Sequence, residues 1–223
     1  MKKFFAIAIA ILATVNAFAG NKNENPEQAP VAAPAETPYV DNVKYACGDK
    51  YMGQMLGNKR EGKGVYYHTN GDTYAGNWVS NQADGKGTYM WPDGSQYTGD
   101  FKDGKMEGKG TYYYANGNKY IGEFKNSQMD GEGTYYFADG RTYTGHFVNG
   151  KKDGQGTFAW PDGEKFVGTY VNDFCEGMGT HYFADGDVYV GMHKHGVMSG
   201  HGTYTWADGT VYEGEFVDGY MAE

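Results

Sequence analysis

The chain repeats itself. From Tyr51 onward the sequence falls into a register of 23 residues with no insertion or deletion, its units opening at Tyr51, Tyr74, Tyr97, Tyr120, Tyr143, Phe166, Tyr189 and Tyr212. The third position of every unit is glycine, from Gly53 to Gly214, and a Gly-x-Gly pair returns in each full unit, as at Gly85/Gly87 and Gly108/Gly110. A period in this range marks a repeat architecture, in which one unit cannot bury its apolar face alone and neighbours must stack. It also argues against phosphate binding by the Gly-x-Gly pairs. A phosphate loop belongs once in a chain, between a strand and a helix, and no helical segment follows any copy.

Inside a unit, apolar and polar residues alternate in two short runs, such as Tyr97–Phe101 and Gly110–Tyr114. Alternation with period two predicts strands. Asp93-Gly94, Asn116-Gly117, Asp139-Gly140, Asp162-Gly163, Asp185-Gly186 and Asp208-Gly209 lie between the runs and supply the positive backbone angles of tight turns. Each unit is therefore read as an antiparallel strand pair, and the array as one elongated, twisted, single-layer all-β sheet. One face carries Tyr97, Phe101, Tyr112 and Tyr114 with Gly99 and Gly110, so rings of one strand are expected to lie over bare glycine backbone of the next.

The first stretch, MKKFFAIAIAILATVNAFAG, has Lys2 and Lys3, an apolar run from Phe4 to Val15, and Ala17-Phe18-Ala19 before Gly20. It reads as a secretory signal over residues 1–19, cleaved near Ala19, which places the mature chain in the periplasm or outside the cell. Residues 20–38, with Pro26, Pro30, Pro34 and Pro38 among small and polar residues, read as a disordered tether. Residues 39–223 form the repeat array: a partial cap unit, seven full units and a terminal half unit. Export makes Cys47 and Cys175 candidates for a disulfide, but about five units of paired strands separate them by about 48 Å at about 4.8 Å per strand. No disulfide within the chain is expected.

The pattern Tyr-x-Gly-x-aromatic, then Gly-x-Gly-Thr-Tyr-x-aromatic-x-Asp-Gly, resembles the MORN (membrane occupation and recognition nexus) repeat, here as an exported bacterial type. The match runs from Tyr51 to Glu223, and Val43 to Lys50 looks like the second half of an earlier copy. The resemblance implies a scaffold, with lipid contact and self-association through terminal repeats proposed in the family. Catalytic domains that other members carry have no counterpart in these residues.

The candidate sites follow from residue type. The net charge is −9, which argues against nucleic acid as a partner. Basic residues gather early, at Lys44, Lys50, Lys59, Arg60 and Lys63, so contact with an anionic lipid surface is expected there. The rival reading of that surface is simply solvated and acidic. On the other face, Tyr67, Tyr113, Tyr136 and Tyr182 fill an aromatic slot that could stack on sugar rings of an envelope polysaccharide, although tyrosine also simply favours strands. His181, His193 and His195 could form a metal or pH-sensitive site; substitution within aromatic slots is the alternative. No serine has a nucleophile context and no carboxylate pair stands apart from the turns, so neither an enzyme nor a cofactor is expected, and polysaccharide hydrolysis is the outlying alternative. Strand Tyr212 to Phe216 is left as an open edge, which predicts an edge-to-edge homodimer. The resulting expectation is a non-catalytic exported scaffold that meets envelope proteins or a membrane surface, with carbohydrate binding as the rival.

Overall fold

A computed structural model describes residues 39–222. The signal segment and the tether lie outside the described residues. The fold is all-β, an open antiparallel sheet of 17 strands, with no helix among the described residues. The strands are β1 (Tyr39–Lys44), β2 (Lys50–Leu56), β3 (Lys59–Tyr67), β4 (Thr73–Val79), β5 (Gln82–Met90), β6 (Gln96–Lys102), β7 (Lys105–Tyr113), β8 (Lys119–Lys125), β9 (Gln128–Tyr136), β10 (Thr142–Val148), β11 (Lys151–Ala159), β12 (Lys165–Val171), β13 (Phe174–Tyr182), β14 (Val188–Lys194), β15 (Val197–Thr205), β16 (Val211–Val217) and β17 (Tyr220–Met221). The chain divides into two compact units, one reaching to Pro92 and including Phe101–Gly104, the other made of Asp93–Asp100 and Lys105–Glu223. In the first unit β1 to β5 pair in sequence order. In the second, β7 to β17 do the same.

Two kinds of turn alternate, and sequence reading found one of them. Trp160 to Gly163 is the foreseen kind: the Gly163 N–H donates to the Trp160 carbonyl and the Trp160 N–H to that of Glu164. The expectation that the Asp-Gly pair supplies positive angles needs correcting, because only the glycine, at φ 96°, takes one. Asp162 instead accepts from the Glu164 N–H at 3.0 Å. The second kind joins the 7-residue strand to the 9-residue strand within a unit. Except at Gly57-Asn58, where only the glycine does, both central residues have positive φ, as at Asn149 (49°) and Gly150 (82°), which is the turn whose twist matches a hairpin. Its N–H groups point to the preceding unit: Gly150 donates to the Met129 carbonyl at 2.8 Å and Asn149 to an Asp130 carboxylate oxygen at 3.2 Å. Glu107 and Asp153 serve Asn126 and Asn172 in the same way. The acidic residue before the Gly-x-Gly thus ties one unit to the next in every full unit but the last, where Ser199 takes its place.

The ring-on-glycine expectation holds. Gly110, Gly122, Gly133, Gly145 and Gly156 are cross-strand partners in one row, and the first unit has the same row from Gly53 to Gly87. Tyr120, fully buried, lies over Gly133, where a Cβ would stand 2.5 Å from its Cε2 and Cζ. Beyond that row the pairing shifts register between Gly122 and Phe124, and the Tyr120 hydroxyl donates to the carbonyl of Glu123, the residue between them, at 3.1 Å. Tyr51, Tyr74, Tyr97, Tyr143 and Tyr189 repeat this bond. The opening residue is tyrosine because its ring covers the glycine row while its hydroxyl satisfies a carbonyl at the irregularity. In the second unit these rings meet the next repeat edge to face, Tyr97 on Phe124, Tyr120 on Phe147 and Tyr143 on Tyr170, with centroids 4.9–5.1 Å apart. Such pairs are favourable beyond their buried area.

Candidate binding surfaces

On the face away from this ladder, the tyrosine slot is present but not bare. Tyr113, Tyr136 and Tyr182 are 48%, 36% and 40% exposed, whereas Tyr67 is only half-exposed. Lys119 is the cross-strand partner of both Tyr113 and Tyr136, and its Nζ lies 4.3 Å from the Tyr136 ring centroid. Lys165 sits over Tyr182 at 4.5 Å. Tyr113, Lys119 and Tyr136 are therefore brought together, while Ala159 occupies the slot in the repeat between Tyr136 and Tyr182.

The early basic residues divide by role. Lys44 faces Lys50 across β1 and β2, and Lys50 faces Tyr67 across β2 and β3. Lys59 and Lys63 are exposed. Arg60 is built into the structure: its guanidinium stacks 4.4 Å from Tyr66 and 4.3 Å from Trp78, and Nη2 donates to the Asn81 carbonyl at 2.8 Å. A guanidinium held this way contributes to packing and to the tie between β3 and the turn at Asn81. Nearby, the Tyr66 hydroxyl donates to Asp49 at 2.8 Å and holds that carboxyl down at about 2.

The three histidines separate. His193 replaces the usual phenylalanine of the buried ladder, between Phe166 and Tyr189 at 4.8 and 5.2 Å. It is 3% exposed, its Nδ1 lies 3.2 Å from the Gly191 carbonyl oxygen, and its Nε2 is buried without a partner. Burial pushes its pKa down. His181 bonds to Glu164 at 2.7 Å and stacks on Phe183 at 4.2 Å. His195 lies in a turn at φ 51°. Among the described residues no three His, Cys, Asp or Glu side chains gather as a metal would require. Cys47 is exposed, Cys175 is half-buried, and neither is bridged.

The edge strand also differs from expectation. The open edge from Tyr212 to Phe216 is covered at one end, because β17 folds back through Asp218 and Gly219, placing Met221 opposite Phe216, and the Ala222 N–H donates to the Glu215 carbonyl.

Sequence reading missed a surface by assigning all inward rings to one buried layer. The rings nearest the Asp-Gly turns form a second stripe, half-exposed in the second unit except at buried Phe158. In the second unit it runs unbroken from Tyr112 through Tyr114, Tyr135, Phe137, Phe158, Trp160, His181, Phe183 and Tyr204 to Trp206, with centroids 4.2–5.9 Å apart. The signal was in the sequence: an aromatic two residues before each turn acid, as in Trp160-Pro161-Asp162. A separate depression of about 500 Å³ lies beside the register shifts, walled by Asp100, Glu107, Glu123 and Asp130 with Lys109 and Lys125.

The MORN repeat family matches residues 51–73, 74–96, 97–119, 120–140, 143–165, 166–188, 189–211 and 212–222. No curated protein matches the sequence. Among solved structures, the chain is similar to the TCP domain of SAS-4 from Drosophila melanogaster, at 16% identity and TM-score 0.45, covering 86% of this chain and 99% of that one. A G-box domain of the microcephaly protein CPAP is similar at 13% identity and TM-score 0.42, covering 79% and 98%.

Proposed function

The chain belongs to the MORN repeat family, and from that premise we propose that it is a non-catalytic, exported scaffold mediating protein or membrane-surface interactions at the cell envelope. One observation carries this reading. The acids before Gly-x-Gly and the opening tyrosines of most units are spent on joining strands and repeats, so what recurs at the surface is the ring stripe and the opposite sheet face. A regularly repeated surface on a stacked scaffold suits an extended partner. Lys44, Lys50, Lys59 and Lys63 are the residues proposed to meet an anionic lipid surface. Self-association through β16 remains part of the proposal, confined to the stretch before Phe216.

A second reading, recognition of envelope polysaccharide, is favoured by Tyr113 and Tyr136 flanking Lys119 on one exposed face. The test combines photo-crosslinking of the chain in intact cells with co-sedimentation on anionic liposomes and on cell-wall polymer. Crosslinked envelope proteins, or liposome binding that fades with salt, supports the scaffold. Salt-resistant retention on wall polymer that is lost in Tyr113→Ala/Tyr136→Ala supports the second reading. Release of soluble fragments from the polymer would refute the non-catalytic claim.

A further inference from the structure

One repeat of the ring stripe shows what the others are shaped to take. In Phe137-Ala138-Asp139 the turn ring and the turn acid together hold a guanidinium: Arg141 lies 4.8 Å over Phe137, and its Nη2 and Nε reach Asp139 Oδ2 at 2.8 and 2.9 Å. The other oxygen, Oδ1, accepts the backbone N–H of Arg141 at 3.1 Å. The next three repeats present the same ring-x-Asp arrangement, in Trp160-Pro161-Asp162, Phe183-Ala184-Asp185 and Trp206-Ala207-Asp208. Their acids make the same Oδ1 bond, to Glu164, Asp187 and Thr210, at 3.0, 3.1 and 2.8 Å. Where Arg141 stands, however, these repeats have Glu164, Asp187 and Thr210. Glu164 is bonded to His181, and Asp187 to Tyr204 and the Ala207 N–H. Asp162 and Asp185 are exposed and make no hydrogen bond through their second oxygen, beside half-exposed Trp160 and Phe183.

We infer that Trp160/Asp162, Phe183/Asp185 and Trp206/Asp208 are three successive guanidinium sites, which together bind an extended, arginine-bearing segment of a protein partner. The inference rests on the scaffold reading and names the chemistry of its partner. Ring and carboxylate act together, the ring face attracting the cation and the carboxylate accepting charge-assisted hydrogen bonds. Arginine fits better than lysine because its planar fork stacks and bonds at once. Two strands per repeat set the sites about 9.6 Å apart, and three residues of a segment in the polyproline II conformation rise about 9.3 Å and return the side chain to the same face, so arginines at every third position fall in step. The surroundings of the last two sites agree in charge, because from Phe166 onward Lys194 is the sole Lys or Arg.

The test is calorimetric titration of the full chain, together with Trp fluorescence, against three peptides. One carries arginine at every third position in a glycine-serine background; in the second citrulline replaces arginine; in the third the arginines are regrouped at one end. Binding is expected for the first, about tenfold weaker for the third, lost for the second, and weakened by salt. Asp162→Asn/Asp185→Asn should lose about tenfold with an unchanged circular dichroism spectrum. Thr210→Arg should fill the third site from within and weaken binding. Arg141→Gln should open a fourth site and strengthen binding of a peptide with one more arginine, a gain that misfolding cannot mimic. Equal binding of the citrulline peptide, no binding of the arginine peptide, or indifference to the paired Asn substitution overturns the inference. Envelope proteins crosslinked in cells would then leave the scaffold reading standing, whereas no crosslinked partner would count against that reading and not against a measured peptide affinity.

Discussion

Gly133→Ala isolates the contact on which the array depends. A methyl at Gly133 would meet Tyr120 at 2.3 Å from its hydroxyl oxygen and 2.5 Å from Cε2 and Cζ, about 1 Å inside ordinary carbon contact. The ring has nowhere to go, being fully buried between Phe124 and Phe147, with centroids at 5.2 and 5.1 Å. Forcing it aside costs about 1–3 kcal/mol as overpacking. Losing the Tyr120 hydroxyl bond to the Glu123 carbonyl costs about 0.5–1.5 kcal/mol more. Gly133 does not have a positive φ, so alanine recovers about 0.4–1 kcal/mol through the unfolded chain. The net loss is about 1–3.5 kcal/mol, or roughly 2–14 °C in Tm for an array of this size. Thermal and urea unfolding followed by circular dichroism would measure it. The control is Gly177→Ala, where a Cβ meets nothing within 4 Å but φ is 76°, so only the backbone cost of about 1–2 kcal/mol applies. In a double-mutant cycle with Tyr120→Ala, the Gly133→Ala penalty should largely vanish. A penalty that survives removal of the ring would refute the ring-on-glycine argument.

Three other outcomes follow from particular residues. Phe166→Tyr should stabilise by about 1 kcal/mol, by giving the Thr169 carbonyl at the register shift between Gly168 and Tyr170 the hydroxyl partner that equivalent carbonyls have; no rise in Tm would count against that role. Burial lowers the pKa of His193 in the fold, so its neutral form stabilises fully above the unfolded value of about 6.5. That contribution is lost as pH falls from there through the folded value, because the unfolded chain binds the proton first. Amide exchange in β12 to β14 should therefore rise between pH 7 and pH 5 beyond the intrinsic change, and His193→Phe should abolish the excess. Arg60→Ala should destabilise by about 1–2 kcal/mol through lost stacking on Tyr66 and Trp78 and a lost bond to Asn81, a loss visible in the unfolding midpoint with or without liposomes.

The sequence by itself determined the fold class and its period, because glycines and tyrosines recurring every 23 residues leave stacked strand pairs as the way to bury rings that no single unit can cover. It also placed the ring-on-glycine contact, since both partners sit at fixed offsets in every unit. The tertiary structure decided what depends on neighbours in space. The second turn varies in sequence, Asn149-Gly150 in one unit and Asn172-Asp173 in another, and its anchoring acid lies 19 residues back, so no local pattern exposed it. Arg60 reads in the sequence as one of the early basic residues, and only the sheet sets it against Trp78, as it sets Lys119 over Tyr136. His193 and His195, two residues apart, were parted by a turn that begins between them. Phe137, Asp139 and Arg141 became a filled site, and Trp160 with Asp162 its open counterpart, only when the turn brought ring and carboxylate together. Alternation of side chains along a strand is local and legible; which charge meets which ring is set by pairing and turns, and that information lies in the fold.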